Sequence, residues 1–173
     1  MTEVFLLRHA NAYDEFGFQE PDTPLRGKGS EQAQKLAGRL ATCNIDVAYS
    51  SPYARARETA GVFSNLTGIK IAVDERLKEV GTEEWTPKDL ENTGETIKDV
   101  LLEIVRKNRG KKIAIFAHGN LIKALLCRIL HADFEAYNNL LVVSVASMTI
   151  LHIEDTNQIK IVTVSDNAHE YLV

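Results

Sequence analysis

Two short apolar runs that each lead into a histidine constrain the fold more than any other feature of this sequence. Val4–Leu7 is followed by Arg8 and His9, and Ile113–Ala117 is followed by His118. Runs of this length without polar alternation are typical of strands buried on both faces of a sheet. Ligands of such sheets bind beyond the carboxyl ends of the strands, so both histidines are candidates for one site. A structural arginine beside a hydrogen-bonded histidine is the alternative for Arg8 and His9.

The rest of the chain alternates between the periodicities of helix and strand. Further strands are predicted at Ile45–Tyr49, at Ile69–Val73 and, as an antiparallel pair, within Leu141–Val164. Apolar residues recur at helical spacing in four segments, which run over 33–40, from 51 through 63, from 91 to 110 and from 119 through 130. This order predicts an α/β fold, a three-layer α/β/α sandwich with a mostly parallel, mixed central sheet, in a single domain over residues 1–173.

The sequence Ser50-Ser51-Pro52 predicts the start of the second helix, with a serine as N-cap and Pro52 at the first helical position. The unpaired backbone N–H groups at such a start favour an anion. Arg55 lies in the first turn and can reach the same anion, because helical side chains lean toward the N-terminus. Arg57 lies about 200° further round the helix and is predicted to be solvated.

Composition argues against several classes of protein. The chain has 173 residues and a formal net charge of −4, which disfavours a nucleic-acid or anionic-membrane surface. We find neither an export signal nor an apolar run that could span a bilayer. Cys43 and Cys127 fit no zinc or Cys-x-x-Cys spacing and are interpreted as reduced thiols, with Cys127 in the core. We therefore expect a cytoplasmic protein with no nucleic-acid or membrane partner, and the oligomeric state stays open.

Chemically active side chains follow several of the predicted strands. Arg8 and His9 follow the first, Arg55 the second, Glu79 the third and His118 a later one. If the strands are parallel, these side chains meet at one edge of the sheet. Two imidazoles, two guanidiniums and a carboxylate without metal-ligand spacing suit a phosphoryl group. A neutral imidazole can attack phosphorus and a carboxyl group can protonate the leaving oxygen, but the residues alone do not decide which histidine attacks.

Over essentially its full length the chain resembles the histidine phosphatase superfamily, in its phosphoglycerate-mutase-like branch. The motifs that carry the resemblance are, in the family's order, Leu6-Leu7-Arg8-His9, Pro24-Leu25 with Gly27 and Gly29, Ser51-Pro52 through Arg55-Ala56 and Thr59-Ala60, Arg76-Leu77-Lys78-Glu79, Gly94-Glu95-Thr96 and Ala117-His118-Gly119-Asn120. The resemblance implies that His9 becomes phosphorylated, that Arg8, Arg55 and His118 bind the phosphate, and that Glu79 is the proton donor. It implies no metal and no cofactor.

Three further residues are substrate-binding candidates by the same resemblance. Gly119 and Asn120 follow the second histidine as in the mutase group, where that backbone faces the phosphate; for Asn120 a helix N-cap is the alternative. Asn11 stands where Glu or Gln is frequent. The chain also departs from the pattern at Ala10 and Glu83, which both replace a usual glycine, and Glu83 adds negative charge near the leaving group.

The function implied is that of a metal-independent phosphatase, a histidine acid phosphatase-like hydrolase of phosphoric monoesters, with a phosphorylated small molecule or phosphoprotein as substrate. A cofactor-dependent phosphoglycerate mutase is one alternative, but the short segment between Glu79 and His118 lacks the insertion of that group. A non-catalytic module that binds a phospho-ligand is the other. Loops such as 13–22 and 80–90 are expected to contact the leaving group, and His131, His152 and His169 are interpreted as structural or surface residues.

Overall fold

A computed structural model describes residues 1–13, 20–81, 85–139 and 143–171. Most of the 13–22 loop and Glu83 therefore lie outside the described residues. The elements are, in chain order, β1 (Thr2–Arg8), α1 (Gly29–Ala41), β2 (Val47–Ser50), α2 (Ala54–Thr67), β3 (Ile71–Val73), a 3₁₀ turn (Glu75–Leu77), α3 (Pro87–Lys107), β4 (Lys112–Ala117), α4 (Gly119–Leu130), α5 (Phe134–Asn139), β5 (Met148–Ile153), β6 (Ile159–Asp166) and a second 3₁₀ turn (Ala168–Glu170).

The strands form one sheet in the order β3-β2-β4-β1-β5-β6. β1, β2, β3 and β4 pair in parallel, whereas β5 runs antiparallel to both β1 and β6. Strand side chains alternate between faces, and in β1 Val4 and Leu6 face α3 and α4 while Phe5 and Leu7 face α1 and α2. Two apolar clusters thus fill the two sides of the sheet. The predicted three-layer fold with a mixed, mostly parallel sheet is confirmed.

Two predicted helix starts were wrong. α2 begins at Ala54 after Tyr53, not at Pro52, and no side chain caps it. The Ser51 N–H instead donates to the Phe116 carbonyl at 2.9 Å and so extends the pairing of β2 with β4. α3 begins at Pro87, four residues before the predicted start, because Thr86 and Asp89 form a reciprocal capping box.

The structure also places the two cysteines and Arg57. Cys127 is 3% exposed and Cys43 is partly buried, and both are free thiols. Arg57 is exposed, as its position on α2 predicts. In the described ranges, none of the helices combines the length and the apolar character that a bilayer crossing requires.

Candidate active site

The parallel pairing of β1 and β4 brings the two histidines together. Arg8 lies opposite Ala117 in the register, so the residues that follow, His9 and His118, leave the sheet side by side. Their ring centroids are 5.2 Å apart at an interplanar angle of 61°. Both side chains are fully buried. The edge of the sheet that the sequence predicts as the site therefore holds both imidazoles.

Hydrogen bonds define the protonation of the His9 ring. Nδ1 lies 2.8 Å from the Ala10 carbonyl, to which it donates, so a neutral ring keeps its lone pair at Nε2. Arg55 Nε donates to that Nε2 at 3.2 Å. Burial, together with the Arg55 and Arg8 charges, lowers the pKa of His9 to about 3, against the opposing effect of the bond to Ala10. His9 is therefore neutral near pH 7, with its free lone pair toward a guanidinium.

The first turns of α2 anchor the loop that carries His9. Arg55 is 3% exposed, donates to the Glu20 carbonyl at 2.9 Å, and has a pKa that burial lowers. One turn later the Thr59 hydroxyl accepts the Ala10 N–H at 3.0 Å. Ala10 itself is fully buried and does not have a positive φ, so its methyl group fits where the family usually has glycine.

Arg8 lies between the start of α4 and the segment after residue 142. Its Nη1 donates to the Val143 carbonyl and its Nη2 donates to the Tyr13 hydroxyl at 2.7 Å. A Cβ placed on Gly119 would lie 3.2 Å from Arg8 Cζ. Glycine at this position therefore leaves room for the guanidinium beside the backbone at the start of α4.

The Glu79 carboxylate caps the first turn of α4. Oε1 accepts the Leu121 N–H at 3.1 Å and the Val80 N–H at 3.0 Å, and Oε2 accepts the Asn120 N–H at 3.4 Å. Burial raises the pKa of Glu79, and these three N–H groups partly oppose that rise. Asn120 is inside the helix and donates its amide to the Val80 carbonyl at 3.2 Å, so the N-cap residue is His118 instead.

Asn11 and three further histidines make their described contacts away from His9 and His118. The amide of Asn11 donates to the Arg26 carbonyl at 3.4 Å, on the turn before α1. His131 is exposed at the end of α4, and His152 lies 3.4 Å from Glu3. His169 is 4% exposed and contacts Arg39 at 3.3 Å, which agrees with a packing role.

Sequence reasoning missed three contacts of the site. Ser51, interpreted only as a helix cap, has its hydroxyl 2.7 Å from His118 Nε2. Tyr53 packs edge-on against His118, with ring centroids 5.2 Å apart, and lies beneath the Arg55 guanidinium at 5.1 Å. Tyr13 contacts Arg8. The Ser-Pro motif marked this segment, but a pattern that predicts a helix start cannot predict a contact with another strand.

Sequence comparison finds relatives named as a phosphatase and as a mutase. The chain is 29% identical over 185 residues to a putative phosphoserine phosphatase 2 of Hydrogenobacter thermophilus, a match that covers 89% of this chain and 91% of the relative. A probable phosphoglycerate mutase of an Enterobacter species is 34% identical over 84 residues, which are 46% of this chain and 39% of that protein.

A solved structure shares the fold. Phosphoserine phosphatase of Entamoeba histolytica, solved as a mutant in complex with phosphoserine, superposes with a TM-score of 0.82 at 21% identity, covering 98% of this chain and 99% of that one. The family model of the histidine phosphatase superfamily, branch 1, matches residues 4–99 and 87–167. Since those residues make up most of the chain, the chain belongs to the histidine phosphatase superfamily, and the resemblance found in the sequence is confirmed.

Proposed function

We propose that this protein is a phosphatase that hydrolyses the phosphomonoester of a small molecule through a phosphohistidine at His9. The observation that carries the proposal is the state of that ring. Its N–H is used by the Ala10 carbonyl, while Nε2 lies 3.2 Å from Arg55 Nε and is buried. A neutral imidazole with its lone pair beside a guanidinium is ready to attack a phosphorus atom whose oxygens that guanidinium binds.

Binding of the phosphoryl group frees the nucleophile. In the structure Arg55 Nε donates to the His9 lone pair. Phosphoryl oxygens carry negative charge and are stronger acceptors than a neutral ring nitrogen, so they take over this N–H. Arg8, His118 and the backbone around Gly119 supply further donors. Substrate binding therefore uncovers the Nε2 lone pair at the moment phosphorus arrives.

The reaction then proceeds in two steps. In the first, Nε2 of His9 forms a bond to phosphorus, the bond from phosphorus to the ester oxygen breaks, and Glu79 gives its proton to that oxygen. In the second, the Glu79 carboxylate takes a proton from water, the water oxygen bonds to phosphorus, and the bond from phosphorus to nitrogen breaks. Inorganic phosphate leaves, and both residues return to their starting forms. Burial favours this role because it raises the pKa of Glu79.

The relatives favour hydrolysis of a small substrate over the alternatives. The putative phosphoserine phosphatase 2 and the phosphoserine phosphatase 1 of Hydrogenobacter thermophilus match 89% and 92% of the chain. The probable mutases match 46%. The protein is thus proposed as a phosphoric monoester hydrolase of the histidine acid phosphatase type, and its free cysteines support a cytoplasmic location.

The test compares wild type with His9→Gln on p-nitrophenyl phosphate and phosphoserine, without added metal and with or without chelator. We expect His9→Gln to lose about 1,000-fold or more of kcat. His131→Asn, which changes an exposed histidine and suits its left-handed backbone, keeps wild-type activity. Chelator leaves the wild-type rate unchanged. Equal activity of wild type and His9→Gln, or activity abolished by chelator, would overturn the proposal.

Trapping of the intermediate separates the alternatives. Wild type quenched during turnover of ³²P-labelled substrate carries label on His9, and the label passes to water. Transfer of the label to a phosphoglycerate would identify a mutase instead. Binding of phosphate without turnover or label on the protein would identify a binding module.

A further inference from the structure

The hydroxyl of Ser51 contacts the second imidazole of the site at the ends of two neighbouring strands. β2 and β4 pair in parallel, and the Ser51 N–H continues that pairing by donating to the Phe116 carbonyl at 2.9 Å. Ser51 Oγ therefore lies beside the end of β4, 2.7 Å from His118 Nε2. Both residues are 0% exposed. Because neither residue is exposed, solvent does not compete for this hydrogen bond.

The other contact of the Ser51 hydroxyl gives this hydrogen bond its direction. Ser51 Oγ accepts the Tyr53 N–H at 3.3 Å. Its own proton needs an acceptor, and His118 Nε2 is the acceptor within reach. If Nε2 carried the ring proton, the hydroxyl proton would have no acceptor among the described residues, which is costly for a buried group. Ser51 therefore donates, Nε2 accepts, and the proton of a neutral ring is on Nδ1.

The other nitrogen of the ring is free. His118 Nδ1 is buried and has no hydrogen-bond partner among the residues that the structure describes. Burial, followed by the proximity of His9, Arg55 and Arg8, lowers the pKa of His118 to about 2, so the ring is neutral and has a single N–H. With the proton on Nδ1 the ring offers a donor, whereas the other tautomer would turn a lone pair toward an anion and repel it.

We propose that Ser51 is a positioning residue that holds His118 as its Nδ1–H tautomer and so keeps one N–H free for an oxygen of the phosphoryl group. The identity of that ligand rests on the proposed function, but the tautomer does not. Ser51 touches no substrate in this scheme and acts only through the ring.

The tautomer is measured by long-range ¹H–¹⁵N correlation spectra of ¹⁵N-histidine-labelled protein at neutral pH, with His118→Gln to assign the signal. We expect wild type and Ser51→Thr, which keeps the hydroxyl, to show protonation at Nδ1. Ser51→Ala loses that preference. Ser64→Ala is the matched control, because it removes a hydroxyl of α2 that donates to the Ile69 carbonyl at 2.8 Å, and its spectrum matches wild type.

An Nε2–H signal in wild type, or an unchanged Nδ1–H signal in Ser51→Ala, would overturn the proposal. The wild-type spectrum alone tests the tautomer, so the proposal stays falsifiable even if Ser51→Ala fails to fold. This measurement also requires no catalytic turnover. An inactive wild type with the Nδ1–H tautomer would refute the proposed function and leave the role of Ser51 in place.

The functional consequence is measured as binding of inorganic phosphate by calorimetry. Ser51→Ala is expected to bind phosphate about tenfold more weakly, because the ring no longer reliably offers its N–H. Ser51→Thr stays within about threefold of wild type and Ser64→Ala is unchanged. An unaltered affinity in a folded Ser51→Ala protein would show that the hydroxyl has only a packing role.

Discussion

At the scale of single residues, Glu79 stands between two opposing influences on its proton. Burial raises its pKa, and N–H donors from Val80, Asn120 and Leu121 lower it. Because burial is the larger influence, the carboxyl keeps its proton to higher pH than an exposed glutamate does. The proton donor that we propose in Glu79 matters most for a leaving group that cannot depart as an anion.

We therefore expect Glu79→Gln to lower kcat/KM for an alkyl phosphate by about 100-fold or more, and by much less for p-nitrophenyl phosphate. In wild type the alkyl-phosphate rate falls as pH rises through the raised pKa, since the donor is then deprotonated. Glu75→Gln, an exposed neighbour that pairs with Lys78, is the control and keeps both rates. Equal losses on both substrates would contradict the role of Glu79.

The residues that do the proposed chemistry were predictable, whereas their supports were not. His9, Arg55 and His118 follow strands in a recognisable order, and few other side chains bind phosphate so well. The contact between Ser51 and His118 depends on the register of β2 against β4, which no local pattern contains. Asn11 stays a prediction, and its position beside the proposed nucleophile did not reveal that its amide donates to the Arg26 carbonyl.

At the scale of elements, α3 and α4 pack so closely at Gly94 that a side chain there would clash. A Cβ on Gly94 would lie 2.9 Å from Arg128 Cβ and 3.0 Å from the Ala124 carbonyl. A Cβ on Gly61, in α2, would meet nothing within 4 Å. The same substitution should thus have opposite effects in the two helices.

Gly94→Ala is expected to lower the free energy of unfolding by about 1–2 kcal/mol, since the clash outweighs the gain in helix propensity. Gly61→Ala, which gains the propensity without a clash, raises it by about 0.5–1 kcal/mol. Urea unfolding of both variants and wild type measures the difference. A Gly94→Ala protein as stable as Gly61→Ala would mean that the two helices separate without cost.

Helix periodicity predicted four of the helices, but their starts depended on local contacts. The Thr86-x-x-Asp89 pair was a readable capping signal that would have moved the start of α3 back to Pro87. The start of α2 was not readable, because Ser51 is drawn into the sheet by Phe116. α5 was missed since six residues are too few for a helical pattern to emerge.

At the scale of the whole molecule, two neutral buried histidines make stability depend on pH. The pKa of His9 is lowered to about 3 and that of His118 to about 2, whereas both take up protons near pH 6.5 once unfolded. Below pH 6.5 the unfolded chain therefore binds protons that the folded protein does not. As the pH falls below 6.5, each histidine lowers the free energy of unfolding by about 1.4 kcal/mol per pH unit, until the pH reaches its pKa in the folded protein.

Replacing one histidine should remove its share. Between pH 6 and pH 5, we expect the free energy of unfolding of wild type to fall about 1 kcal/mol more than that of His9→Gln. Glu79 contributes with the opposite sign in both proteins, so the difference isolates His9. Urea titrations at the two pH values measure it, and parallel pH dependences would mean that His9 is protonated in the folded state.

The layers of the molecule followed from the alternation of strands and helices, and the two faces of β1 from its unbroken apolar run. The strand order did not follow. Nothing in the sequence near Val4 states that its neighbours are Ile113 on one side and Leu151 on the other. Such pairings are decided by the packing of whole helices, which a local pattern does not record.

The position of β1 between β4 and β5 has a consequence for how the chain is made. β1 is synthesised before both of its partners and can pair with them only after Ile113 and Leu151 have been synthesised. Contacts this distant along the chain form slowly, so Val4–Leu7 waits as an exposed apolar segment that chaperones can bind. A nascent chain therefore cannot bring His9 and His118 together until β4 has been translated.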